Sequence, residues 1–130
     1  MKRTNVEIET MIMDLKPLLD CKGLTGLVAA RNTRILSELI QEYLAMKQEL
    51  IIKYGDPQLD CDGNRTDYVA VTPETNGFTQ FVDEITPLAE AEQEFTVMKV
   101  PAEKIMSELT GSQMIALDWM FEEVSDGYCS

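Results

Sequence analysis

Residues 27–54, LVAARNTRILSELIQEYLAMKQELIIKY, decide the fold, because they contain neither glycine nor proline. Apolar residues recur along them at spacings of three and four: Leu36, Leu39, Tyr43, Met46 and Leu50, widened by Ile35, Ile40 and Leu44. This pattern predicts one uninterrupted helix with an apolar seam, ended by Gly55 and Pro57. A straight helix of this length would extend about 42 Å, longer than a compact domain of this size, so its end is expected to project.

The segment before this stretch predicts another helix. Thr4 and Glu7 have the spacing of a capping box, and Ile8, Met11 and Leu15 follow at helical intervals. Pro17 should kink or end this helix. Residues 21–26, CKGLTG, predict a turn before the long helix begins.

The segment after Tyr54 predicts a small β element and a second long helix. Residues 62–65, DGNR, predict a tight turn that joins residues 59–61 to a strand at 66–71. A helix is predicted over 78–91, bent by Pro87, and packed antiparallel to the long helix.

The remainder predicts a strand followed by two helices. Phe95–Val100 is rich in strand-forming residues and could pair with Tyr68–Val71 or across a dimer. Pro101 should open a short helix that turns Ile105 and Leu109 inward. Thr110 and Gln113 suggest a capping box for a last helix that reaches about Val124.

The predicted fold is α+β, mainly α: a long antiparallel helical hairpin with packed terminal helices and a small antiparallel β element. A single domain is expected over 1–130. Its parts are a helical N-terminal half (1–54), an acidic β-hairpin region (55–77) and an acidic helix-strand-helix-helix half (78–130).

The charge is distributed unequally along the chain. Residues 1–54 carry eight Lys/Arg and seven Asp/Glu, a sum of +1, whereas residues 55–130 carry three and sixteen, a sum of −13; together these give −12. An acidic half of this kind repels nucleic acid and suits a basic protein partner, including one whose basic groove holds nucleic acid.

Several classes of chemistry find no support in the composition. The chain has no histidine, which excludes Ser-His and Cys-His nucleophile pairs, and its three cysteines are scattered, as expected for free thiols. An EF-hand loop begun at Asp60 would place Arg65 and Val71 where glycine and glutamate are needed, so no calcium site is predicted. We expect no metal, no cofactor, no membrane span and no signal peptide, and hence a cytoplasmic protein.

Two groups of acidic residues are candidate partner-binding sites. In the predicted last helix, Asp118, Glu122 and Asp126 would share one face, with Glu123 and Trp119 beside them. The hairpin supplies Asp60, Asp62 and Asp67. The same carboxylates would also serve as an ordinary solvated surface, and this alternative stays open.

The order of segments resembles a family of small phage and prophage proteins of Gram-positive hosts. The resemblance lies in LVAARN (27–32), IKYG (52–55), FVDEI (81–85) with Leu88, EQEFTV (92–97) and, most specifically, ALDWMFEE (116–123). Pro87 departs from this pattern. The resemblance implies a phage accessory protein working in the bacterial host cytoplasm, and it carries over no active-site residue.

These observations favour a non-enzymatic phage accessory protein that binds and inhibits a host defence protein, through an acidic surface competing with nucleic acid. The alternative is a phage assembly protein that binds another phage protein, or a second copy in a homodimer, through helical packing. A carboxylate enzyme and a protein that sequesters a small ligand are further alternatives.

Overall fold

The computed structural model describes residues 1–122, except the side chains of Arg65 and Asp67, and has an α+β fold that is mainly α. The helices are α1 (Asn5–Leu15), α2 (Gly23–Leu39), α3 (Gln41–Tyr54), α4 (Phe78–Glu90) and α5 (Gly111–Ala116). The strands are β1 (Lys2–Thr4), β2 (Asp56–Leu59), β3 (Arg65–Ala70) and β4 (Glu92–Glu94). Short 3₁₀ turns occupy Lys16–Leu18, Ala102–Lys104, Met106–Glu108 and Asp118–Met120.

The helix α1 begins and ends as the sequence predicts. The Thr4 side chain accepts from the Glu7 backbone N–H, and the Glu7 side chain accepts from the Thr4 backbone N–H, which confirms the capping box. Pro17 lies in the 3₁₀ turn directly after α1. The expected turn at 21–26 is shorter than predicted, because α2 already begins at Gly23, a residue with φ +68°.

The prediction of one uninterrupted helix over 27–54 is wrong. The chain leaves the helical conformation at Ile40, with φ −107° and ψ 12°, and this residue is completely buried. The break sits where the Gln93 side chain donates to the Leu39 carbonyl at 2.8 Å. It allows α2 to pack against α1 while α3 packs against α4. Tyr43 is the one buried residue of α3, so the C-terminal part of this helix lies outside the hydrophobic core.

The predicted antiparallel helical hairpin is formed by α3 and α4. Gly77, which precedes α4, packs against Tyr54 at the end of α3. At the other end, Leu88 of α4 and Tyr43 of α3 line the same cavity. The helix α4 continues through Pro87 to Glu90.

A β-hairpin joins these helices, as predicted, but its first strand is Asp56–Leu59 and not residues 59–61. The strands β2 and β3 are antiparallel, with Asp56 opposite Ala70 and Leu59 opposite Arg65, and the register shifts between Pro57 and Leu59. Gly63 has φ +83°, which favours glycine in the connecting turn.

The strand predicted at Phe95–Val100 is wrong in position. The strand β4 comprises residues 92–94 and pairs with β1, not with Tyr68–Val71. Residues 95–99 belong to no strand. Within them, Met98 makes two backbone hydrogen bonds with the side chain of Asn32 and not with a neighbouring strand.

The last helix is shorter than predicted. The capping box of Thr110 and Gln113 is confirmed, but α5 ends at Ala116 instead of continuing to about Val124. A 3₁₀ turn follows, and Phe121 then forms a parallel bridge with Val100. Leu117, directly before this turn, and Met120, its last residue, are both completely buried.

Candidate functional site

The predicted acidic face of the last helix does not form within the described residues. Asp118 lies in the 3₁₀ turn, and Glu122 follows the bridged residue Phe121, so no helix aligns their side chains. Both residues are exposed. Glu123 and Asp126 lie outside the described residues, and their partner-binding role stays a prediction.

Trp119, a candidate partner-binding residue, is partly buried and packs against the hydrophobic core. Its indole Nε1 is buried and has no hydrogen-bond partner among residues 1–122. The 3₁₀ turn places Asp118 beside it, and the two residues line one cavity of about 450 Å³. Arg3 and Lys99 also line this cavity, so the lining carries charges of both signs.

The second predicted group lies at the tip of the β2–β3 hairpin. Oδ1 of Asp60 accepts from the backbone N–H groups of Asp62 and Asn64, each at 2.9 Å. Asp60 therefore organises the turn, while Asp62 is exposed at its tip. Asp67 belongs to β3, and its side chain lies outside the description.

Sequence reasoning missed two apolar side chains on this hairpin. Leu59 is 62% exposed and Tyr68 is 70% exposed, although both are large. Their exposure could have been predicted from the β-hairpin itself, because a two-stranded element at the end of a helical hairpin has few neighbours to cover its side chains. Exposed aromatic and aliphatic residues beside charge are typical of protein interfaces.

The hairpin and the cavity lie at opposite ends of α3. Val69 of the hairpin packs beside Gly55, directly after α3. Gln93 is paired in the β1–β4 ladder with Arg3, which lines the cavity. The Gln93 side chain donates to the carbonyl of Leu39, just before α3. The 14 residues of α3 separate these ends by about 21 Å. The structure therefore divides the predicted residues between two places.

Among the described side chains, few carboxylates after Tyr54 are paired with a cation. The ion pairs at 4 Å or less among these side chains are Lys2–Glu92, Arg34–Glu38 and Lys47–Glu9. Asp83 and Glu90 lie seven residues apart on α4, about two turns, and both are exposed. Asp83 and Glu90 therefore place negative charge in the middle and at the end of the exposed surface of α4.

A third polar cluster joins α1 to α3. The Tyr43 hydroxyl donates to Glu9 Oε1 at 2.6 Å, and Lys47 Nζ donates to Glu9 Oε2 at 3.0 Å. Burial, followed by the hydrogen bond to Glu9, raises the pKa of the Tyr43 phenol well above its usual value. The phenol therefore stays protonated and links the two helices.

Neither a metal-binding cluster nor a membrane-spanning helix occurs among the described residues. Among residues 1–122, no three or more Cys, Asp or Glu side chains converge to hold a metal ion. None of the helices described has the length and apolarity needed to cross a membrane.

Comparisons with known proteins gave no match. No protein-family model, curated protein or solved structure is significantly similar to this chain.

Proposed function

We propose that this protein is a non-enzymatic phage accessory protein that binds a basic surface of a host nucleic-acid-handling protein and inhibits host defence. The observation that carries the proposal is the β2–β3 hairpin, which exposes Leu59 and Tyr68 among the carboxylates of Asp56, Asp60 and Asp62. The proposal places the protein in the cytoplasm of the bacterial host.

The hairpin combines the two contributions that an interface needs. Tyr68 and Leu59 supply apolar area that a partner can bury. Asp56 and Asp62 are exposed, and none of the described Lys and Arg side chains, which do not include Arg65, lies within 4 Å of either carboxylate. A basic partner would supply these missing charges and would associate faster because of them.

The exposed carboxylates of Asp83 and Glu90 on α4 add negative charge at a distance from the hairpin. A groove that normally binds phosphates would accept such carboxylates, and nucleic acid would then be excluded by competition. The same charge opposes direct binding of nucleic acid by this protein.

The test is a pull-down from host lysate with the tagged full-length protein, at low and high salt. We expect a nucleic-acid-binding protein to be captured at low salt and lost at high salt, because exposed charge contacts are screened. The combined variant Asp56→Asn/Asp62→Asn should weaken capture, as should Tyr68→Ala. Asp60 is left intact because it holds the turn.

The matched control is Glu103→Gln/Glu108→Gln, which removes two exposed carboxylates from other segments at the same change in net charge. It should leave capture nearly unchanged. Equal capture by the hairpin variants and by wild type would contradict the proposed surface. Normal activity of the captured nucleic-acid-binding protein in the presence of a saturating concentration of this protein would contradict inhibition.

The assembly role is the second candidate, favoured by apolar side chains on α3. Leu44 and Ile52 are 39% and 61% exposed and lie about two turns apart. Capture of phage structural proteins from infected lysate, unaffected by salt, would support this role. A homodimer through the same face would appear as a doubled mass that Leu44→Gln/Ile52→Gln abolishes.

A further inference from the structure

The cavity that contains Asp118 has features that the proposed function does not use. It opens where β1, residues 95–99 and the Asp118–Met120 turn meet. Its volume of about 450 Å³ lies in the range of small-molecule sites. Three segments that are distant in sequence build it, so it depends on the whole fold.

Two cationic side chains line this cavity in a strongly acidic protein, beside Met1, whose terminal ammonium donates to the Phe95 carbonyl at 3.0 Å. Arg3 lies opposite Gln93 in the β1–β4 ladder, and Lys99 comes from the extended segment that follows β4. Arg3 donates one hydrogen bond to the Lys2 carbonyl at 2.9 Å. Neither cation has a carboxylate within 4 Å in the described chain, not even Asp118 of the same lining. Both therefore retain donors for an anionic ligand.

Aromatic rings form much of the remaining wall. Phe95, Trp119 and Phe121 line the cavity, and all three also pack into or against the hydrophobic core. Their positions are thereby fixed, since core packing restricts their rotamers. Fixed aromatic rings favour a planar ligand group, which can stack on them.

Asp118 supplies the only carboxylate of the lining in this part of the chain. A carboxylate accepts hydrogen bonds and has two oxygens side by side, which match two adjacent N–H donors. The cavity thus offers cations, flat apolar rings and one acceptor pair within a single small volume.

From these features we infer that the cavity binds a nucleoside monophosphate whose base carries adjacent N–H donors, as guanine does. The phosphate lies at Arg3 and Lys99, the base against the aromatic rings, and the guanine N–H groups donate to Asp118. A single phosphate avoids the repulsion that the net charge of −12 imposes on a polymer.

The test is calorimetric titration of the full-length protein with GMP, AMP, guanosine and inorganic phosphate. Trp119 is the only tryptophan, so its fluorescence gives a second readout at the site. We expect saturable binding of GMP with a change in this fluorescence. AMP, guanosine and phosphate should each bind at least tenfold more weakly.

Three variants distinguish the site from general charge effects. Arg3→Gln/Lys99→Gln should weaken GMP binding at least tenfold, whereas Lys104→Gln, which removes an exposed cation outside the lining, should not. Asp118→Asn should abolish the preference for GMP over AMP. Lys99 is exposed, so Lys99→Gln alone provides a milder test if the double variant folds poorly. Each variant is first compared with wild type by circular dichroism.

Three results would overturn the inference. They are the absence of saturable binding by any nucleotide at millimolar concentration, unchanged GMP affinity in the Lys99→Gln and double variants, and phosphate binding as tight as GMP binding. Partner capture by the hairpin is measured separately, so its outcome does not bear on this test.

Discussion

The Asn32 side chain and the Met98 backbone are joined by two hydrogen bonds: Met98 N–H donates to Asn32 Oδ1 at 2.8 Å, and Asn32 Nδ2 donates to the Met98 carbonyl at 3.0 Å. Asn32 is completely buried. One amide thus satisfies both backbone groups that a neighbouring strand would otherwise satisfy. This pair holds the 95–99 segment, and with it one wall of the cavity, against α2.

Asn32→Ala should lower the free energy of unfolding by about 2 to 4 kcal/mol, because two partly buried backbone groups of Met98 lose their partner. Urea denaturation followed by circular dichroism measures this loss. Asn76→Ala, at an exposed position, should change stability by less than about 0.5 kcal/mol. Equal effects of the two substitutions would show that the Asn32 bonds contribute nothing net.

Tyr43 should make stability fall at alkaline pH. Its folded-state pKa is raised above the unfolded value of about 10 by burial and by Glu9. For a group with a raised pKa, the stabilisation is fully present below the unfolded pKa and is lost as the pH rises through the folded pKa. The free energy of unfolding of wild type should therefore decline above about pH 10.

Tyr43→Phe removes this contribution and should flatten the decline, with urea denaturation at several pH values as the measurement. The difference in absorbance near 295 nm between wild type and Tyr43→Phe gives a direct check, because it isolates the Tyr43 phenol, which should ionise above the usual tyrosine pKa of about 10. Ionisation of this phenol at its usual pKa in the folded protein would contradict the raised value.

Gly55→Ala should destabilise the junction between α3 and the hairpin. An added Cβ would lie 2.6 Å from Val69 Cγ1 and 2.9 Å from the Ala70 carbonyl oxygen, so the backbone must shift. Overpacking of this kind costs about 1–3 kcal/mol. Gly111→Ala is the matched control, since nothing lies within 4 Å of its added Cβ, and thermal unfolding should show it to be neutral or slightly stabilising.

Gln93→Ala and Asn5→Ala should be energetically coupled. Gln93 Nε2 donates to Asn5 Oδ1 at 2.6 Å and to the Leu39 carbonyl at 2.8 Å. Asn5 Nδ2 donates in turn to the Leu88 carbonyl at 2.8 Å, which lies near the end of α4. A double-mutant cycle by urea denaturation should give an interaction free energy of about 0.5–3 kcal/mol. Additive effects would mean that the two side chains act independently.

The elements that sequence reasoning placed correctly depend on neighbours within a few residues. The capping boxes at Thr4 and Thr110 join residues three apart, and the hairpin turn needs only the local left-handed conformation of Gly63. The helix α4 was likewise predicted, because its apolar residues repeat at helical spacing. The acidic, exposed character of Asp62 also followed from its place in a turn.

The candidate surfaces were only partly predictable. The sequence pointed to Asp118 and Trp119, but as members of an acidic helical face. Their place beside Arg3 and Lys99 depends on where α5 ends and on which strand pairs with β1. Neither event has a signal in the neighbouring residues.

The sequence by itself determined the helical caps, the helical hairpin of α3 with α4, the β-hairpin and the excess of negative charge after Tyr54, because each of these follows from local spacing or composition. Only the tertiary structure decided the break at Ile40, the pairing of β1 with β4, the Asn32–Met98 bonds and the end of α5. In each case a buried side chain or backbone group finds its partner far along the chain, and that long-range satisfaction outweighs local helix and strand propensity.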